Sequence, residues 1–350
     1  MLTSEIKRKA LQLGYLACGV IPANAFDEYT KHLDTRTQSF PESESLYEPF
    51  YAFAHPPEGA KSVIVCTRRY NGYHMPKSLG GLIGKLYLFH CMLPYSEAAR
   101  AAAEFEAYLQ FRNIRTLTYD TPVRLAASIA GLGTYGYNNF FYDSKHGSYV
   151  WIDTWVVDKT LEYDATQEKV VLSACSEACQ KCIKACPTRA LAEPFSMNRG
   201  RCLTHLLTHA EDTLDETTRG QMGRWLYGCD ICQDICPMNK GKFEETEEFP
   251  LLAEYASYLT PERILEMDEN TFDNVFRPRF FAAGTGSLWQ WKCNVLRSLV
   301  NAGDTRYYVL IQQYTAHPDP RVREIAEWGC QRLGISDASA SRVSSTARGT

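Results

Sequence analysis

The sequence predicts an α+β chain in three parts. These are a mixed α/β N-terminal domain over 1–168, a cysteine-rich insert over 169–248 and a helical-repeat unit over 249–334, with a disordered tail over 335–350. Three observations predict it. Short β-branched runs alternate with helical stretches in the first half. Eight of the thirteen cysteines fall between positions 175 and 236. Beyond Pro250, short amphipathic stretches separated by turn sequences keep the rhythm of paired-helix repeats.

The elements follow in order. Ile6, Ala10, Leu11 and Leu13 recur at helical spacing and Gly14 supplies a stop, which predicts a helix over 4–16. Residues 18–21 read as a short strand and 62–67 as a second, buried and β-branched. Residues 97–113, rich in Ala, Glu, Phe and Leu, form a helix on propensity. Residues 115–119 alternate as a strand. Pro122 opens a helix that runs through Ile129 into a glycine-rich turn, and 149–157 is a strand rich in aromatic and β-branched residues. After Pro250, helices are expected over 261–265, 289–300, 307–314 and 321–333, with turns at 301–304 and 317–320. The Ser/Ala/Thr-rich stretch from Ile335 predicts disorder.

Apolar residues make up 45% of the 350 and charged residues 22%, an ordinary globular composition. No run approaches the roughly 20 apolar residues that span a bilayer. The N-terminus leads into a polar helix rather than an apolar signal core. A cytoplasmic location with no membrane partner follows. Net charge is −4, but residues 277–350 carry +5 and the rest −9. A basic C-terminal unit suits either a local nucleic-acid contact or a solvated helical surface.

In a reducing compartment, clustered cysteines read as metal ligands or redox groups rather than disulfides. Cys18, Cys66, Cys91, Cys293 and Cys330 are scattered and read as small buried apolar residues. The cluster holds two runs: Cys175-x3-Cys179-x2-Cys182-x3-Cys186-Pro187, and Cys229-x2-Cys232-x3-Cys236-Pro237 with Cys202 upstream. Bacterial two-cluster ferredoxins use C-x2-C-x2-C-x3-C-P, whose last cysteine ligates the other cluster. Three close thiolates reach one cubane. The fourth starts a helix that leaves in another direction, and proline after it suits a first helical position. On that rule Cys175, Cys179, Cys182 and Cys236 hold one [4Fe–4S] cluster, and Cys186, Cys202, Cys229 and Cys232 hold a second. Structural zinc also uses four-cysteine sets with C-x2-C spacing; the C-x3-C-P tails and the pseudo-repeat favour iron–sulfur. Cys175 stands one residue farther from Cys179 than the usual spacing. Two adjoining cubanes make an electron wire, and most of the chain is left for whatever accepts the electrons.

Four stretches, in order along nearly the whole chain, carry a resemblance. They are Ala130-Gly131-Leu132-Gly133-Thr134-Tyr135-Gly136-Tyr137-Asn138-Asn139, Ala185-Cys186-Pro187-Thr188-Arg189-Ala190-Leu191, Tyr227-Gly228-Cys229-Asp230-Ile231-Cys232-Gln233-Asp234-Ile235-Cys236-Pro237-Met238-Asn239-Lys240, and His317-Pro318-Asp319-Pro320-Arg321-Val322-Arg323-Glu324-Ile325-Ala326-Glu327-Trp328. With them the chain resembles the epoxyqueuosine reductase family and, more distantly, the reductive dehalogenases. The resemblance implies a nitroreductase-like N-terminal domain, a ferredoxin-like double-cluster insert and a HEAT-like C-terminal unit. It implies a cobalamin held between the N-terminal domain and the clusters, an external electron donor such as a ferredoxin or flavodoxin, and the epoxide of a modified tRNA wobble nucleoside as substrate.

By the same resemblance Asp120, in Asp120-Thr121-Pro122, matches the family's proton donor; the plain alternative is a cap on the helix that Pro122 opens. Gly131, Gly133 and Gly136 match a turn that lets backbone approach the corrin, or serve structure alone. Asn138 and Asn139 are placed to hydrogen-bond corrin amides, or are solvated turn residues. Tyr137 stands where the family carries Lys or Arg, and Val123-Arg124-Leu125 follows Pro122 in place of an acidic residue. Those departures keep two other readings open: a corrinoid-dependent reductase of a small molecule, and an electron-transfer protein that reduces a partner's corrinoid.

Overall fold

Ser62 to Thr67 are all buried, although they belong to an antiparallel sheet that could leave one face wet. The reason is that both faces are covered. The computed structural model describes residues 1–89, 93, 96–164, 175–176, 178–243, 246–280 and 283–335. Strands β1 (Ala17–Pro22), β2 (Ser62–Arg69), β3 (Thr116–Leu117) and β6 (Val150–Val157) form a sheet of order β1-β2-β6-β3 with every pair antiparallel. Side chains alternate across it. Ile64, Cys66, Val20 and Trp155 meet Ile6 and Ala10 of helix Leu2–Gln12 and Phe105 and Leu109 of helix Glu97–Phe111 on one face. Val63, Val65 and Val156 meet Leu125, Ala126 and Ile129 of helix Val123–Ile129 on the other. A strand sandwiched in this way needs an unbroken apolar run, which is what the sequence carries.

The expected elements are present with shifted ends. The helix expected over 4–16 is Leu2–Gln12, and the strand expected over 115–119 shortens to Thr116–Leu117, an edge strand against Val156 and Val157. Helix Tyr29–Ser39 was not expected. It buries only Leu33, so its hydrophobic stripe is almost absent. The glycine-rich turn closes as a two-stranded ribbon, β4 (Thr134–Tyr135) on β5 (Phe141–Tyr142), and a second ribbon pairs β7 (Leu191–Glu193) with β8 (Ser196–Met197).

The chain forms two compact units. The sheet, the two ribbons and the stretches Phe89–Cys202 and Ile231–Phe249 make the first. The second gathers Met75–Leu88, Leu203–Asp230 and the described residues from Pro250 onward. Its organising element is helix Leu288–Ala302, ended by Gly303 at φ +64°, the left-handed stop that glycine favours. One face of this helix is polar and buried. Gln290 donates to the Ala210 carbonyl, Asn294 to those of Leu207 and Leu226, Arg297 to those of Gly223 and Trp225, and Asn301 to those of Arg219 and Gly223. Irregular backbone leaves carbonyls unpaired, and these side chains satisfy them. Trp291 stacks on Tyr227 at 4.9 Å and packs on Phe276 and Phe280. Helix Pro320–Leu333 has Pro320 in its first turn, an Asp319 cap and Gly334 at φ +63°. Among the described residues no helix is long and apolar enough to cross a membrane. The tail expected to be disordered lies outside the described residues after Ile335, as does Cys91.

Candidate cluster and cofactor site

Helix Lys181–Ala185 carries Cys182 and helix Ile231–Asp234 carries Cys232, and the two pack together. Cys186 follows the first in extended backbone (φ −68°, ψ 111°), and Cys236 follows the second in almost the same conformation (φ −70°, ψ 124°). The pseudo-repeat read from spacing is therefore a repeat of shape. Pro237 opens only a short 3-10 turn, Pro237–Asn239. Burial, joined by the neighbouring Cys236 and Cys175, pushes the Cys182 thiol up to about 11. A bound metal reverses that, since coordination deprotonates a thiol outright. Cys186 sulfur accepts from Ala190 N–H at 3.2 Å. Cys179 and Cys202 are half-buried. Cys229 belongs to the second unit, after Gly228 at φ +68°, whose missing side chain leaves room for the Tyr87 ring. Among the described residues no three His, Cys, Asp or Glu form a group that could hold a single metal ion. A cubane spreads its four thiolates over separate irons.

The glycine turn lies in the first unit. Gly131 adopts φ +69°. A Cβ on Gly133 would collide with the Phe141 ring and the Tyr142 carbonyl, and one on Gly136 with the Tyr142 ring. These contacts account for both glycines within the chain itself. Asn138 is buried and donates its amide hydrogens to Tyr142 hydroxyl and to the Cys232 carbonyl, each at 2.9 Å. It ties the turn to the cysteine segment. Burial, and after it the neighbouring Cys236, push the Tyr142 phenol above its usual range. Asn139 is also buried, at φ +62°; its side-chain oxygen accepts from Arg36 and its carbonyl from Arg124, each at 3.0 Å.

Comparison with known proteins bears on this arrangement. The family profile of the 4Fe-4S double cluster binding domain matches residues 174–239. The chain is therefore built to hold two iron–sulfur cubanes in the segment that carries the eight clustered cysteines. It is 33% identical to the epoxyqueuosine reductase of Prochlorococcus marinus over 171 residues, 48% of this chain and 53% of that one. It is 27% identical to that of Cellulophaga algicola over 286 residues, 78% of this chain and 90% of that one. The chain is similar to the epoxyqueuosine reductases along most of its length. Its fold is theirs as well. The Bacillus subtilis epoxyqueuosine reductase, solved with its catalytic aspartate loop swung out of the active site, superimposes with a TM-score of 0.79 at 23% identity, covering 98% of this chain and 97% of that one.

Among the residues that the epoxyqueuosine reductase resemblance singles out, Asp120 is exposed. It does not cap the following helix: Pro122 occupies the N-cap position of Val123–Ile129, with no side-chain cap hydrogen bond. Its neighbour Thr121 is buried and hydrogen-bonds Thr154 on β6 at 2.8 Å, which anchors the loop one residue away. Tyr137 packs edge-on against Phe195 at 5.1 Å. Sequence reasoning missed Tyr142 and Arg36, and it quoted Arg124, Gln233 and Asn239 without these roles. Gln233 donates to Tyr70 hydroxyl and to Ser148, and Asn239 donates to Ser148 hydroxyl and the Gln233 carbonyl, so both fasten the second cysteine run onto the sheet unit. Polar residues within and just after the second cysteine run were the available signal. Arg36 sits on a helix with no sequence signal at all.

Proposed function

We propose that the protein is an iron–sulfur and cobalamin-dependent reductase that converts epoxyqueuosine in tRNA to queuosine. The observation that carries this reading is the double-cluster match over 174–239 inside a chain similar to epoxyqueuosine reductases along most of its length. One such reductase is solved with an epoxyqueuosine-modified tRNA stem loop, and the basic residues beyond 277 suit a phosphate backbone here. Cys175, Cys179, Cys182 and Cys236 hold one cluster, and Cys186, Cys202, Cys229 and Cys232 the other; the influence of Cys175 and Cys236 on Cys182 supports the first set. Eight soft thiolates suit iron–sulfur ligation. Electrons enter from a ferredoxin- or flavodoxin-like donor, in the cytoplasm, where thiols this dense stay reduced.

The first unit fits a corrinoid: the buried Asn139 amide nitrogen, beside Gly131, Gly133 and Gly136, has no hydrogen-bond partner among the described residues. When bound, cobalamin supplies the low-potential metal centre through which substrate is reduced. Asn139 holds it by an amide contact, while Asn138 keeps the turn fixed to the cysteine segment. Asp120 gives a proton to the epoxide oxygen as the ring opens, because charge developing on oxygen needs an acid within reach.

The test is an anaerobic preparation, reconstituted with iron, sulfide and cobalamin, given tRNA that carries epoxyqueuosine. Mass spectrometry of the digested tRNA should show queuosine. Asp120→Asn should keep both cofactors and lose about 10²–10⁴-fold in rate, the usual weight of general acid catalysis. Tyr137, packed on Phe195 where the family carries a cation, favours a second reading as a small-molecule reductase. A loaded enzyme inert on tRNA but active on an organohalide would establish that one instead.

A further inference from the structure

Asn139 is the most constrained residue of the glycine turn. Its backbone is left-handed, a conformation that asparagine tolerates better than other side chains. Its N–H donates to the Gly136 carbonyl, its carbonyl accepts from Arg124, and its side-chain oxygen accepts from Arg36. Arg124 is held in turn over the Phe140 ring at 5.0 Å. A guanidinium has donors and no acceptor, so Arg36 selects the oxygen side of the amide. The flipped amide would set N–H against N–H. What remains is a buried amide nitrogen, oriented by Arg36 on a backbone that Arg124 holds, with no acceptor among the described residues.

We propose that Arg36, through the side-chain oxygen, and Arg124, through the backbone carbonyl, are positioning residues that hold Asn139 with its carboxamide N–H groups presented to a carboxamide oxygen on the rim of the corrinoid. The inference rests on the corrinoid reading given above. It adds the orientation of the contact and the two cations that set it. Nothing covalent is involved. A donor fixed before binding needs no ordering when the ligand arrives, which is where a locked contact gains affinity.

The experiment is an anaerobic titration of the iron-loaded protein with cobalamin, followed by absorbance, beside thermal unfolding without cobalamin. Asn139→Asp keeps an acceptor for Arg36 and so should fold at least as stably, yet it loses the donor. Its Kd should rise about tenfold or more, the worth of one good hydrogen bond. Asn139→Gly, which accepts the same φ, should lose affinity alike. Arg36→Met should weaken binding several-fold with iron content unchanged, and Arg36→Lys should restore part of it. Cobinamide, which carries ring amides and no nucleotide, should show the same losses; a loss confined to cobalamin overturns the amide assignment. Asn139→Asp binding cobalamin within twofold of wild type overturns the proposal while leaving the reductase reading intact. Wild-type protein that binds no corrinoid at all removes both.

Discussion

Tyr142 has its hydroxyl between Asn138 and Cys236, and that position gives it influence over an electron. Hydrogen bonds to cluster sulfurs raise reduction potential by stabilising the more negative state. Tyr142→Phe should therefore make one of the two cluster potentials more negative, read by redox titration with electron paramagnetic resonance. A differential stabilisation of about 1 kcal/mol corresponds to roughly 40 mV for a one-electron couple. A second residue carries a pH signature. Asp153 accepts from Trp151 at 2.7 Å and from Tyr15 at 2.9 Å, yet burial holds its carboxyl above the usual carboxylate range. Between the unfolded value, about 3.9, and the raised folded one, the native state binds more protons than the unfolded state. Stability contributed by this site then falls as pH rises through that window. Asp153→Asn should flatten the decline, seen as a smaller pH dependence of the urea midpoint from pH 4 upward. Neither residue was legible beforehand. Cysteine spacing announces ligands, whereas a phenol near them, or a carboxyl on the sheet opposite Cys66, is placed by strand pairing.

Elements were legible where one face or both carried a strong apolar pattern. Strand Ser62–Arg69 falls where its β-branched run put it, helix Glu97–Phe111 where propensity put it and helix Leu288–Ala302 where its helical pattern put it. Helix Tyr29–Ser39 offers no such stripe, yet it delivers Arg36 to Asn139. The glycine turn was found as a motif, but the side chains that require its glycines sit on the paired strand Phe141–Tyr142. Gly133→Ala should cost about 1–3 kcal/mol through overpacking, since the obstructing Tyr142 carbonyl is backbone and cannot rotate aside; chemical denaturation measures it. In the helical unit, Asn294→Ala should cost about 2–4 kcal/mol, because two buried carbonyls, of Leu207 and Leu226, lose their donor together.

For the whole molecule, composition and charge settled the broad class, and the eight cysteines settled the cluster segment. What they did not carry is which distant stretches close on one another. Leu203–Asp230 lies between two cysteine runs in the chain, yet its carbonyls are answered by Gln290, Asn294 and Arg297. Contacts of that kind join polar side chains to backbone and leave no periodic trace. Metal loading should report on the cysteine assignment as a whole. A reconstituted chain should hold about eight irons, and Cys182→Ala about four, counted by a ferrozine assay. Iron removal by anaerobic chelation should lower the unfolding midpoint, since the free energy of binding is shared with folding.

The first unit draws on Met1–His74 at one end and Ile231–Phe249 at the other. A ribosome extends a chain by about 5–20 residues per second, so roughly 12–50 s separate the first sheet strand from the last stretch that packs with it. The sheet and the helices on both its faces are complete by Val157, but Tyr70, Asn138 and Ser148 wait for Gln233, Asn239 and the Cys232 carbonyl, their partners in the later stretch. Iron delivered before Cys236 emerges would meet an incomplete set of clustered thiols, so cluster assembly on this chain belongs to the end of synthesis or after it.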